Sequence, residues 1–204
     1  MQSPDMSSTG EFQRIQAKIS RVAKRLLPAR LSSQETLTYI FCVYRPGITW
    51  SSPVSNLSNK AWTTLQATIL PIFLNNLGFP SSFPRAVVYG PTCLGGLGLV
   101  HGHTEQGMAH VRYMLHHLQN NTTVGNLMRI TLSWIQRYAG YSVSVIHQPH
   151  LPLQHVPSPW IKTTCEHLQR THCHVQFDID SVPKRQVPCD RWHMNQTLPL
   201  TPHT

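Results

Sequence analysis

Apolar residues recur at helical spacing through most of this chain, with interruptions at glycine, proline and short polar clusters. Phe12, Ile15, Ile19, Val22 and Leu26 share one face of a predicted helix that Pro28 ends. "SSQE" at 32–35 has the form of a capping box, in which Ser32 accepts from the Glu35 amide and Glu35 reaches back. The helix it opens should run to about Tyr44 and break at Arg45-Pro46-Gly47. Ser58 caps a third helix carrying Trp62, Leu65, Ile69, Phe73 and Leu77, with a kink at Pro71 and an end at Gly78. Val111, Leu115 and Leu118 mark another. Val124 to Ala139 reads as a further helix, with Leu127, Ile130, Trp134 and Tyr138 inward and Gly140 as its stop. "SPW" at 158–160 starts a last helix, with Ser158 as cap and Pro159 in the first position, ending near Arg170.

Alternation is rarer. Ala86–Tyr89 reads as a short strand or extended piece, "YSVSVIH" as a possible strand, and "HVQFDID" as one that puts Val175, Phe177 and Ile179 on one face. The predicted fold class is therefore mainly α: several amphipathic helices with one or two short strands and disordered tails. Residues 1–9 form a polar tail, 10–180 the helical region, and 181–204 a second tail. There is no internal repeat and no heptad run.

Composition adds a charge argument. The chain of 204 residues carries 17 Lys and Arg against 8 Asp and Glu, a formal net charge of +9, while charged residues make up only 12%. A basic balance on a charge-poor chain favours a polyanionic partner through phosphate neutralisation and counterion release. Five cysteines without a pairing pattern, behind a polar start, suggest free thiols in a reducing, intracellular setting, cytoplasmic or nuclear, rather than secretion. The sequons at Asn56, Asn120, Asn121 and Asn195 would then carry no glycan. The longest apolar runs are too short to span a bilayer, so no membrane partner is expected.

The glycine-dense stretch "YGPTCLGGLGLVHG" at 89–102 invites a phosphate-binding reading, and its chemistry argues against one. Gly90 and Gly95 have Walker A separation, but Gly96 and Leu97 stand where the lysine and the hydroxyl are needed. Gly96 and Gly98 begin a dinucleotide fingerprint, but His101 takes its third position. The glycines read as backbone devices, with Leu94, Leu97 and Leu99 plugging into a core. No cofactor is expected.

Other chemistry is thin. Cys165, His167, His172, Cys173, His174, Cys189 and His193 are dense but lack metal-knuckle spacing. Asp178 and Asp180 could share one strand face, too little for two-metal chemistry. The best functional feature is basic. Arg14, Lys18, Arg21 and Arg25 fall on one face of the first helix with Lys24 beside them, and no acidic residue lies between Phe12 and Ser33. Such a row can follow a phosphate backbone.

The order of the segments also carries a resemblance. "SRVAKRLLPARLSSQETLTYIFCVYRPGITW", "LPIFLNNLGFPSSFPRAVVYGPTCLGGLGLVH", "EQGMAHVRYMLHHLQNNTTVGNLMRITLSWIQRYAG" and "PWIKTTCEHL" together resemble the region that follows the catalytic palm in reverse transcriptases of non-LTR-type retrotransposons. The resemblance covers about 14–180, and "RAVVYGP…GGLGL…EQG" is its most distinctive part. It implies a thumb-like helical region that grips an RNA–DNA or DNA duplex, with the helix at 11–26 where a thumb begins and a palm domain as partner. The family's aromatic-x-Asp-Asp hairpin is absent, so no catalytic residue carries over and no activity alone is expected. The alternative is a helical protein-interaction module without nucleic-acid function.

Overall fold

The computed structural model describes residues 9–120, 122–141, 143–173 and 175. They are mainly helical, and among them there is no strand. The chain divides into two compact units, Met1–Ala109 and His110–Thr204.

In the first unit, α1 (Thr9–Leu26) buries Ile15, Ile19, Ala23 and Leu26, the face its periodicity predicts. It lies on α4 (Asn59–Asn76), whose Leu65, Ile69, Leu70, Phe73 and Leu74 are buried in the same core. Each such aliphatic side chain contributes about 1.5–3 kcal/mol by leaving water. Helix α2 (Ser33–Tyr39) opens on the predicted capping box, with Ser32 accepting from the Glu35 amide and Glu35 accepting from the Ser32 amide at 2.8 Å. Ser58 caps α4 by accepting from the Ala61 amide, and Gly78 ends it at φ 83°. The Phe79 amide then reaches the Leu74 carbonyl at 2.8 Å and the Gly78 amide the Asn75 carbonyl at 3.1 Å, which satisfies the helix's last carbonyls.

Two secondary-structure expectations fail in this unit. The break at Arg45-Pro46-Gly47 does not occur: a π turn, Ile40–Tyr44, carries the chain into α3 (Arg45–Thr49). Pro46 has no amide to donate, and its ring would collide with the carbonyl four residues back in a regular helix. The extra residue of the π turn, with the Arg45 amide on the Ile40 carbonyl, relieves that conflict. Ala86–Tyr89 is not extended either, because α5 (Arg85–Val88) occupies it. The valines suggest a strand, but Pro84 opens a helical turn whose carbonyl accepts from the Val88 amide at 3.1 Å.

Helix α6 (Gly102–Gln119) starts earlier than its apolar marks suggest, and its first turns belong to the first unit. Gln106 there is fully buried. Its Oε1 accepts from the Trp62 indole at 2.9 Å, the Leu57 amide at 3.1 Å and the Ser55 hydroxyl at 3.3 Å, and its Nε2 donates to the Leu57 carbonyl at 3.0 Å.

The second unit gathers Met114, Leu118, Leu132, Ile135, Val145, Ile146, Ile161, Cys165 and Leu168. Thr122 caps α7 (Thr123–Ala139) by accepting from the Gly125 amide, and Gly140 closes it at φ 77°. The face of α7 is the reverse of the one expected. Leu127, Ile130, Trp134 and Tyr138 are 48–65% exposed, while Leu132 and Ile135 are buried. Gly125 explains the rotation, since a side chain there would strike the His117 carbonyl. That close approach turns Met128, Leu132, Ile135 and Ala139, a second apolar row, toward the core. "YSVSVIH" contains turns, and consecutive Val145 and Ile146 both enter the core, which strand alternation forbids. Helix α8 (Pro159–Arg170) has Pro159 in its first turn as predicted, although the Ser158 side chain makes no cap bond. Of "HVQFDID" only Val175 is described; the rest, and the tails 1–8 and 176–204, lie outside the described residues.

Replacing Gln106 by Leu strands the Trp62 indole and both polar groups of Leu57 in the core. The expected loss is about 3 kcal/mol, since each buried orphan costs roughly 1–3 kcal/mol. Urea unfolding followed by tryptophan fluorescence measures it; a loss below about 0.5 kcal/mol, the range of an inert surface change, would show that the amide is not an anchor.

Candidate nucleic-acid interface

The basic row on α1 does not reach solvent as one stripe. Arg14 is paired to Glu11, with Nε on Oε2 and Nη2 on Oε1, both at 2.8 Å, and Nη2 also donates to the Ser51 hydroxyl at 2.7 Å. Ser51 in turn donates to Glu11. The Arg14 guanidinium holds the Glu11 carboxyl below its usual range, and the carboxylate raises Arg14. The acid that neutralises Arg14, one turn before it, is the residue immediately preceding the acid-free interval that made the row look unpaired. Lys18 donates its ammonium to the Gly47 carbonyl of α3. Glycine suits that position, since an added Cβ would stand only 3.1 Å from the Lys18 nitrogen. A neutral carbonyl does not cancel the charge of Lys18.

Arg21, Lys24 and Arg25 remain, all exposed and none a partner in the ion pairs at Arg14 and Arg45. They sit at i, i+3 and i+4, so three cations crowd about 6 Å of helix at 1.5 Å per residue. Exposed Arg30 follows beyond the helix end. Lys24 and Arg25 also occupy the last turn, where cations complement the helix dipole by a few tenths of a kcal/mol.

The glycine stretch is a backbone device. The amides of Gly95, Gly96, Leu97, Gly98 and Leu99 donate to the carbonyls of Thr92, Pro91, Val87, Gly90 and Val88, at 2.9–3.1 Å. Five consecutive amides are thus spent on residues 87–92, and a phosphate cradle needs such amides free. Gly95 and Gly98 have φ of 80° and 66°, and a Cβ on Gly96 would overlap the Gly90 carbonyl. The three leucines do not all plug the core: Leu99 is buried and Leu97 partly so, but Leu94 is 82% exposed. A neighbouring cavity beside Tyr44, Phe73 and Tyr89 has about 30 Å³, room for one water and far below a ligand pocket.

Of the histidine and cysteine cluster, Cys165, His167, His172 and Cys173 are among the described residues. Cys165 and His167 are buried in α8. Burial pushes the Cys165 thiol up to about 12, and it donates to the Val145 carbonyl. Desolvation, with Arg170 nearby, lowers His167. Among the described residues no three His, Cys, Asp or Glu side chains converge on a metal position, and His174, Asp178, Asp180, Cys189 and His193 lie outside them. Among the described residues no helix is long and apolar enough to cross a membrane.

Three features escaped the sequence: the Gln106 anchor, the exposed row on α7, and Trp50, which is 85% exposed. Only the α7 row had a signal, the two apolar faces in its own periodicity. No family model, curated protein or solved structure matches this chain.

Gly96→Ala and Gly98→Ala should each destabilise the first unit by about 1 kcal/mol or more, through a backbone overlap in one case and a positive φ in the other. Gly10→Ala, where nothing lies within 4 Å, is the control and should not destabilise. Thermal unfolding distinguishes them. Equal melting of all three would show that the loop does not need its glycines.

Proposed function

We propose that this chain is a non-catalytic helical module from the post-palm, thumb side of a retroelement reverse transcriptase, and that its biochemical capacity is non-specific binding of RNA–DNA or DNA duplex. The observation that carries the binding is the exposed group Arg21, Lys24 and Arg25 on α1, with Lys18 beside it. The origin rests on the order of segments along about 14–180. Binding of this kind is phosphate neutralisation without base readout, so it is insensitive to sequence and steep in salt.

The test is the triple variant Arg21→Gln, Lys24→Gln and Arg25→Gln, titrated against a labelled RNA–DNA hybrid from low to moderate salt. Affinity should fall, and the salt slope should flatten by about 0.9 for each phosphate no longer neutralised, up to nearly three units. Exposed Gln residues leave Ile15, Ile19 and Leu26 in place, so circular dichroism should report a folded chain. Undiminished affinity in a folded triple variant would overturn the assignment of the site.

The interaction-module reading has one observation in its favour. Leu127, Ile130, Trp134 and Tyr138 form an exposed row on α7, with the last two rings stacked at 5.1 Å. The row contains no charge, so its occupant is an apolar surface, and a polymerase palm domain is the partner the resemblance offers. Association with a palm fragment that resists salt and disappears in Trp134→Asp would favour this reading; association unaffected by that change would remove it.

A further inference from the structure

Trp50 is the most exposed large apolar side chain among the described residues, at 85%. An indole left in water forgoes the burial that makes tryptophan valuable, and its flat face is available for stacking. Its position is fixed at both sides. Its own amide closes α3 on the Pro46 carbonyl at 3.1 Å. Three residues before it, the Gly47 carbonyl accepts from Lys18; immediately after it, the Ser51 hydroxyl accepts from Arg14 at 2.7 Å. Trp50 therefore lies between two residues that bond to the N-terminal half of the α1 row, while Arg21, Lys24 and Arg25 occupy the other half. Its chain neighbours Thr49 and Ser51 are polar.

We propose that Trp50 is a base-stacking platform at the end of the α1 row, and that this face takes a junction at which duplex opens into a single strand. The inference rests on the polyanion reading of α1. From Arg14 to Arg25 is about 16 Å of helix, comparable to about five steps of one strand at roughly 3.4 Å each. Phosphates of the duplex lie on Arg21, Lys24 and Arg25, and the strand runs toward Lys18 and Trp50. A base inside a duplex has both faces stacked on its neighbours. Only a terminal or unpaired base offers a face to an indole, so cations and an exposed tryptophan near them together select a junction over continuous duplex. Stacking of this kind accepts any base and adds a preference on the order of tenfold per base.

The experiment compares two DNA probes at fixed low salt: a duplex with a three-nucleotide overhang, and the same duplex with abasic residues in the overhang. Their charge is equal, so their affinity ratio isolates the bases. The chain should bind the probe with bases on the order of tenfold more tightly. Trp50→Ala should abolish that ratio, and Trp50→Phe should keep part of it. RNA overhangs in the same format distinguish the two sources of base. A ratio of one for the unmodified chain, or a ratio that survives Trp50→Ala, would overturn the platform while duplex binding and its salt slope leave the polyanion reading standing. Failure to bind either probe would overturn both.

Discussion

A single buried amide holds the first unit's arrangement. Gln106 contributes both an acceptor and a donor at a fully buried position, and Trp62, Ser55 and Leu57 all bond to it. Around it the packing is tight. A side chain on Gly102 would overlap the Trp62 ring, and the Gly102 amide donates to Gln66 at 3.0 Å. An amide can be buried at this site only with every group satisfied, and that requirement locks the start of α6, the head of α4 and the segment between α3 and α4 into one geometry.

The charge distribution follows from that frame. With α4 fixed, α1 lies on it by its apolar face, and α3 lies along part of its basic face. The chain's few carboxylates then decide which cations are neutralised. Glu11 takes Arg14 and Glu105 takes Arg45, each at 2.8–2.9 Å. Lys18 is held by a carbonyl and keeps its charge. The α1 cations that α3 does not reach, Arg21, Lys24 and Arg25, are exposed.

Local chemistry was legible in the sequence. The Ser32–Glu35 box, the Ser58 cap and the Gly78 and Gly140 stops depend on residues a few positions apart, and the structure has each of them. Features that depend on distant partners were not. The π turn before Pro46 arises where a helix continues past a residue that should end it. The face of α7 was ambiguous because Leu127, Ile130, Trp134 and Tyr138 compete with Met128, Leu132, Ile135 and Ala139, and only Gly125 against His117 decides between them. The basic row was legible as a helix face, but its halving was not, since Gly47 lies within α3 and Ser51 just beyond it, both distant from α1 in sequence. Trp50 reads as an ordinary apolar residue until its exposure is known.

The central claim, that the exposed half of the α1 row meets the phosphates, is tested most directly by lysine footprinting. The chain is acetylated briefly with and without an RNA–DNA hybrid at low salt, and modification at each lysine is read by mass spectrometry. Lys24 should be strongly protected, while Lys162, which lies in the other unit and donates to the Gln154 carbonyl, should react as it does in the free chain. Protection of Lys162 with Lys24 left reactive would contradict the claim.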